Sequence, residues 1–253
     1  MRHAIITAGT KGLGKKVTES FLQNGYRVTI LFRSDDKKVD ELLHTYQHLK
    51  DRMLFVRGDV TNKEDLNRLV HESYERFGRI DCLINNAGPY IFERKKLVDY
   101  TENEWYEMVE GNLSSVFHLL KKVIPIMRKQ QYGRIITYGF QGANGAPGWL
   151  HRSAFGAAKV GLVSLTKTIA IEEAENGITA NMVCPGNITG EMKEASIHYA
   201  KQNIDKDTPI GRSGTGEDIA RIISFLCEEN SDFITGAIIE ATGGANVIHR
   251  FQP

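Results

Sequence analysis

Apolar and polar positions along the chain switch repeatedly between a period of two and a period near 3.6, and the switches mark its elements. The run His3-Ala4-Ile5-Ile6-Thr7 predicts a buried strand and leads directly into Gly9-Thr10-Lys11-Gly12-Leu13-Gly14. Val17, Phe21 and Leu22 then recur at helical spacing from Lys15 to Asn24, and Asn24-Gly25 closes that helix as a C-cap. Tyr26 to Phe32 predicts a second strand, Asp36 to Leu49 a helix, Met53 to Val56 a third strand, and Ile80 to Ile84 a fourth. Thr61 with Glu64 reads as a capping box for a helix running to Arg76 and stopped by Gly78. The longest helical stretch runs from Thr101 to about Arg128, opened by a second box, Thr101 with Glu104. Gly111 and Asn112 lie inside it against their propensity. A fifth strand is predicted at Gly133 to Thr137, a small-residue loop from Gly139 to Gly148, a helix at Ser153 to Glu175, and a sixth strand at Ile178 to Val183. Asn187 to Asp207 has no strong period and is expected to be a mobile lid; Glu217 to Glu228 and Ala237 to Glu240 read as the last helix and strand.

Strands alternating with helices predict an α/β, doubly wound (Rossmann) fold: a mostly parallel seven-stranded sheet with right-handed crossovers and helices on both faces. No linker, repeat or low-complexity segment divides the 253 residues, so one domain spanning residues 1–253 is expected. The net charge is +1 with charges interspersed, so nothing favours nucleic acid or an anionic membrane, and a small molecule is the expected partner. No signal peptide opens the chain and no apolar run approaches the ~18 residues of a membrane span. A cytoplasmic protein is expected. Cys82, Cys184 and Cys227 fall in apolar stretches without metal-ligand spacing and read as core residues, and no metal site is expected.

A glycine turn between a buried strand and a helix N-terminus brings backbone N–H groups and the helix dipole to a phosphate. The spacing Gly9-x-x-Gly12-x-Gly14 is neither G-x-G-x-x-G nor G-x-x-x-x-G-K-[ST], yet its strand-turn-helix setting points to a dinucleotide. At the end of the second strand, where an acid would hold a ribose 2′-OH, stand Phe32, Arg33 and Ser34. Arg33 with Lys11 would bind a 2′-phosphate, which favours NADP over NAD; otherwise both are solvated surface charges. Asp59, followed by Val60, either meets the adenine edge or caps the next helix, and Asn85-Asn86-Ala87-Gly88 is a turn at the end of the fourth strand.

Taken in order, Thr7-Ala8-Gly9-Thr10-Lys11-Gly12-Leu13-Gly14, Asp59-Val60, Asn85-Asn86-Ala87-Gly88, Asn112, Gly133-Arg134-Ile135-Ile136, Lys159, Pro185-Gly186, Ile234-Thr235-Gly236 and Gly243-Gly244 resemble the short-chain dehydrogenase/reductase family over essentially the whole chain. The nearest resemblance is to the 3-oxoacyl-acyl-carrier-protein reductase branch. It implies an NAD(P) site at the carboxyl edge of the sheet, which with Arg33 and Ser34 is expected to take NADP(H), held by the glycine turn, Asp59, Val60, Asn86, Ala87, Gly88, Lys159, Pro185, Gly186, Ile188 and Thr189. It also implies a small-molecule or acyl-thioester substrate and a homodimer or homotetramer.

The departures bear on chemistry. Ala8 takes the place of the motif's first glycine, and Gly190 the place of a threonine after Pro-Gly, with Thr189 one residue early. Of the family's catalytic Asn, Ser, Tyr and Lys, the resemblance leaves Asn112 and Lys159. Phe140 stands where the serine is expected, and Phe155, four residues before Lys159, where the tyrosine is expected. Candidate replacements are Tyr138, two residues before Phe140 on the same strand face and about 6 to 7 Å deeper, and His151, beside Arg152 in a loop near the expected substrate mouth. Ser153 reads as a helix cap. Two functions compete: an NADP(H)-dependent oxidoreductase that transfers hydride without the usual proton relay, on a C=O, C=N or C=C group, and a catalytically silent NADP(H)-binding subunit that acts through a partner.

Overall fold

A computed structural model describes residues 1–245 and shows all seven expected strands in one sheet. They are β1 His3–Thr7, β2 Arg27–Phe32, β3 Met53–Arg57, β4 Cys82–Asn85, β5 Gly133–Tyr138, β6 Ile178–Pro185 and β7 Ile238–Ala241. Their order is β3-β2-β1-β4-β5-β6-β7 and every pairing is parallel. The order reverses between β1 and β4, which opens a crevice beyond their carboxyl ends, the place where such sheets bind ligands.

The helices are α1 Gly12–Gln23, α2 Asp36–Thr45, α3 Lys63–Phe77, α4 Glu102–Val109, α5 Ser115–Gln130, α6 Ser153–Glu172, α7 Ile197–Lys201 and α8 Gly216–Leu226. Because both faces are covered, β1, β4 and β5 are buried at every position. Alternate residues serve different layers. Ile5, Leu83 and Ile135 pack with Leu66 and Leu69 of α3, Leu119 and Val123 of α5, and Leu162 of α6. Ala4, Ile6, Ile84 and Ile136 pack with Val17 and Phe21 of α1 and Ile219 and Ile223 of α8. Each such aliphatic side chain contributes roughly 1.5–3 kcal/mol by leaving water.

Four sequence expectations need correction. Asn62, not Thr61, caps α3, accepting from the N–H groups of Glu64 and Asp65, while the Thr61 hydroxyl donates to Asp59. The long helix from Thr101 is broken: its capping box forms, but a π turn over Glu110–Ser114 separates α4 from α5. The segment expected as an aperiodic lid carries a 3-10 turn at Gly190–Lys193 and the short α7. Finally, α6 is by length and composition apolar enough to cross a membrane. Here it is a core helix, with Leu162, Val163, Ile169 and Ala170 buried against the sheet. The three cysteines are free and buried, as expected.

Candidate active site

The crevice is built by close backbone approach. A Cβ on Gly14 would lie 2.3 Å from the Ala8 carbonyl oxygen and 2.6 Å from Asn86 Nδ2, so glycine alone lets α1 start directly over the end of β1. Thr18 of α1 donates its hydroxyl to the Gly9 carbonyl (2.9 Å), and a Cβ on Gly9 would meet that hydroxyl at 2.8 Å. Ala8 holds a left-handed φ of 53°. The turn forms despite the missing glycine, at a cost of about 1–2 kcal/mol for an L-residue in that region. Asn86 Nδ2 donates to the Thr7 and Ala8 carbonyls (3.0 and 3.2 Å), and Ala87 N–H donates to Thr7 Oγ1 (2.9 Å). The ends of β1 and β4 are thereby stitched together.

A cavity of about 490 Å³ opens beside this junction, lined in part by Thr10, Lys11, Arg33, Ser34, Asp59 and Val60, and bounded by Ala87 and Gly88. Arg33 is largely exposed and lies 3.6 Å from the Asp59 carboxylate. Burial pushes the Asp59 carboxyl up, but hydrogen bonds from the Thr61 N–H and hydroxyl (2.9 and 2.8 Å) and the charge of Arg33 hold it below its ordinary value. Asp59 therefore serves the loop and Arg33 rather than capping α3.

The π turn explains Gly111 and Asn112. A Cβ on Gly111 would lie 2.2 Å from Pro89 Cδ, and Asn112 Nδ2 donates to the Pro89 and Met108 carbonyls (2.9 and 3.0 Å). Asn112 Oδ1 is buried without a partner. It points at Gly88, where an added Cβ would meet it at 2.3 Å and the Lys159 ammonium at 3.7 Å. Lys159 is buried, and burial pulls its ammonium down to about 8 against an opposing pull from Cys184. Asn112, Gly88 and Lys159 thus converge, as their separate motifs implied.

Around Lys159 the walls are aromatic. Its ammonium lies 5.6 Å from the centre of the Phe155 ring. Phe155 meets Tyr90 at 4.9 Å and Trp149 at 6.0 Å, and Phe140 packs on Trp149 at 4.9 Å. Phe155 is half-buried, whereas Phe140 is buried in the core. Arg152 stacks over Tyr90 and donates to the Phe92 and Glu93 carbonyls, which ties two loops together. Sequence reasoning missed Tyr90 and Trp149; their signal was large aromatic side chains placed in loops.

Tyr138 does not share a face with Phe140. The strand ends at Tyr138 and the chain turns through Gly139, so Tyr138 packs with Ile6 and Ile84 while Phe140 joins the opposite layer. Its hydroxyl is buried without a partner and its pKa is raised by burial. His151 adopts a left-handed φ of 63°, and its Nδ1 is likewise buried and unpartnered. The Ser153 hydroxyl makes no capping bond and is also orphaned. At the far end of the crevice, Gly186 N–H donates to the Ala241 carbonyl (2.8 Å), and a Cβ on Gly186 would lie 2.8 Å from Thr242 Cα. Ile188 is buried beyond it, and Thr189 opens the 3-10 turn.

The sequence profile of the enoyl-(acyl carrier protein) reductase family matches residues 7–246. The chain is 72% identical over 253 residues to the provisionally named oxidoreductase YtkK of Bacillus subtilis, covering all of this chain and 99% of that one. A solved structure provisionally named a 3-oxoacyl-reductase, from Bacillus thuringiensis, is 64% identical with a TM-score of 0.93, over 98% of this chain and 100% of that one. A tyrosine-to-phenylalanine variant of ElxO, solved with NADPH bound, is 31% identical with a TM-score of 0.83, over 96% of this chain and 98% of its own.

Proposed function

This chain belongs to the short-chain dehydrogenase/reductase family, and from that premise we propose an NADPH-dependent oxidoreductase that works without the family's serine and tyrosine hydroxyls. The observation that carries the proposal is the continuous line from the glycine turn through Gly88 and Asn112 to Lys159, ending on Phe155. The residues fit a dinucleotide. Gly9 and Gly14 let α1 pack directly against the end of β1, which brings backbone N–H groups to the crevice, and Asn112 Oδ1 is an orphaned buried acceptor beside Gly88. Arg33 with Lys11 would take a 2′-phosphate, Asp59 and Val60 the adenine edge, Asn86, Ala87 and Gly88 the inner ribose, and Lys159 the nicotinamide ribose. Pro185, Gly186, Ile188 and Thr189 would border the nicotinamide. The NADPH variant of ElxO supports this reading by similarity.

The cofactor, when bound, supplies hydride. The chain's own residues position it, and Phe140, Phe155, Tyr90 and Trp149 exclude water from the reaction end. A phenyl ring neither protonates nor stabilises an alkoxide. Loss of a general acid removes about 10²- to 10⁴-fold in ketone reduction, and loss of an oxyanion donor about 10²- to 10³-fold. An iminium, which hydride converts directly to a neutral amine, or an activated C=C, whose delocalised enolate takes its proton from water, therefore suits the site better than a ketone. Exposed Trp105 and Tyr106 of α4 and Phe117 of α5 suit association into a homodimer or homotetramer, and a cytoplasmic setting fits the reaction.

A second reading, a silent NADPH-binding subunit, is favoured by the burial of Phe140 against Trp149, which fills space instead of lining it. Panels of ketones, imines and enones with saturating NADPH separate the two, run beside the Phe140→Ser, Phe155→Tyr double variant with an acetoacetyl thioester. The native protein is expected to oxidise NADPH with an imine or enone, and the variant to gain ketone reduction by at least about 10²-fold. No turnover by the native protein on any panel, with NADPH bound, would leave the silent reading.

A further inference from the structure

Glu194, in the segment after β6, reaches across to the phosphate turn. Its Oε1 accepts from the Gly12 N–H at 2.8 Å, and its Oε2 lies 3.4 Å from the Lys15 ammonium, which also pairs with Glu19 at 2.8 Å. Gly12 opens α1, so this carboxylate sits at the positive end of the helix, where a phosphate gains the same hydrogen bond and dipole interaction. The contact is built rather than incidental. The Lys193 methylenes lie 3.8 and 3.9 Å from where a Gly12 Cβ would stand. Behind them, α8 approaches so closely that a Cβ on Gly216 would be 2.0 Å from the Lys193 carbonyl oxygen. The Ile197 N–H donates to Glu217 of α8 at 2.7 Å. The segment is thus pinned on both sides of Glu194, between α8 and the turn.

We propose that Glu194 is a tethered anion that competes with the cofactor's diphosphate for the phosphate turn, so that cofactor binding and release of the 190–194 segment are one equilibrium. The inference rests on reading that turn as the cofactor's phosphate site. Two anions at one helix terminus repel, and the apparent affinity of a cofactor that must displace the first is reduced by the fraction of molecules in which it is in place. Removing the charge removes that competition. An anion at an exposed helix N-terminus is worth a factor of about two to five, rising toward thirtyfold where partly buried, by the helix-dipole energies.

The test is a titration of NADPH by its fluorescence on the wild type, Glu194→Gln and a control, Glu191→Gln, whose carboxylate bonds Tyr199 instead. Thermal melts verify that all three are folded. Glu194→Gln is expected to bind NADPH about three- to tenfold tighter than the wild type and the control, with the gap narrowing as salt is raised. A second readout needs no cofactor: amide hydrogen exchange at Gly12, whose N–H donates to Glu194, is expected to be faster in Glu194→Gln. Equal NADPH affinity in all three proteins overturns the competition while leaving the cofactor reading intact. Absence of NADPH binding in all three overturns the cofactor reading and the competition with it, and faster exchange at Gly12 would then report the tether alone.

Discussion

The two ends of the crevice are made differently. At the β1–β2–β3 end, the cavity has mixed walls, polar at Thr10, Lys11, Arg33 and Asp59 and apolar at Leu31 and Val60, and Arg33 lies 3.6 Å from Asp59. At the Lys159 end, the ammonium lies 5.6 Å from the Phe155 ring, which packs in turn against Tyr90 and Trp149, and Trp149 against Phe140. On the proposed reading, the first end would receive phosphate and ribose, and the second would present the nicotinamide beside Lys159 and Asn112 without the family's hydroxyls. Binding and chemistry would then be separable in this fold: a chain could keep the geometry that presents a hydride while replacing the groups that handle its consequences.

The comparison breaks most completely at Gly14. Gly14→Val places atoms where a Cβ alone would be 2.3 Å from a backbone oxygen, so either the turn or α1 must move. NADPH affinity measured by fluorescence is expected to fall at least about 100-fold, with a clear drop in Tm, since overpacking against backbone costs roughly 1–3 kcal/mol or more. A smaller effect on binding would show that the turn does not carry the phosphate.

Lys159 sharpens the contrast because, on the proposed reading, it would serve binding at the expense of stability. An unfolded lysine titrates near 10.5, while burial holds Lys159 at about 8. Between those values the unfolded chain binds the extra proton, so this contribution to stability rises with pH, and below pH 8 the full penalty of the buried charge applies. Lys159→Met is therefore expected to raise stability at pH 7 by up to about 3 kcal/mol, a gain that shrinks toward pH 10.5. The same variant should bind NADPH about tenfold more weakly. Thermal melts across that pH range, beside NADPH titrations, test both signs.

Arg33→Ala probes the other end. A charge-assisted hydrogen bond is worth roughly 1.5–3 kcal/mol, so NADPH affinity should fall at least about tenfold while NADH affinity changes little. Equal losses for both cofactors would make Arg33 a partner of Asp59 rather than a reader of the 2′-phosphate. The smallest expected effect is at Ala8: replacing it by glycine relieves the left-handed φ and should stabilise by about 1 kcal/mol, less the extra freedom of the unfolded chain. A rise of a few degrees in Tm with unchanged NADPH affinity is the expected result.

Much of this was legible before folding. All seven strands, the glycine turn and the Thr101 capping box follow from local period and motif order, because each is a property of a few neighbouring residues, whereas the roles of Gly88, Asn112 and Lys159 came only from the family resemblance. Thr61 was misread since Asp59, bound by its hydroxyl, competes for it, and the choice of Asn62 as cap depends on the loop's path. The single long helix was misread because Pro89 and Asn112 divide it, and Pro89 is distant in sequence. Tyr138 was placed on the wrong face because strand alternation holds only until the strand ends, and the turn at Gly139 is set by packing on Met182 and Cys184. By itself, then, the sequence determined which segments are buried, in what order they alternate, and which side-chain chemistries exist in the chain. The tertiary structure alone decided that Phe155 of α6, beside Lys159, meets Tyr90 and Trp149 from two loops, and that Glu194 reaches Gly12 from 182 positions away. The physical reason is that periodicity reports how a residue meets its own element, whereas a site is made where elements distant in sequence meet one another.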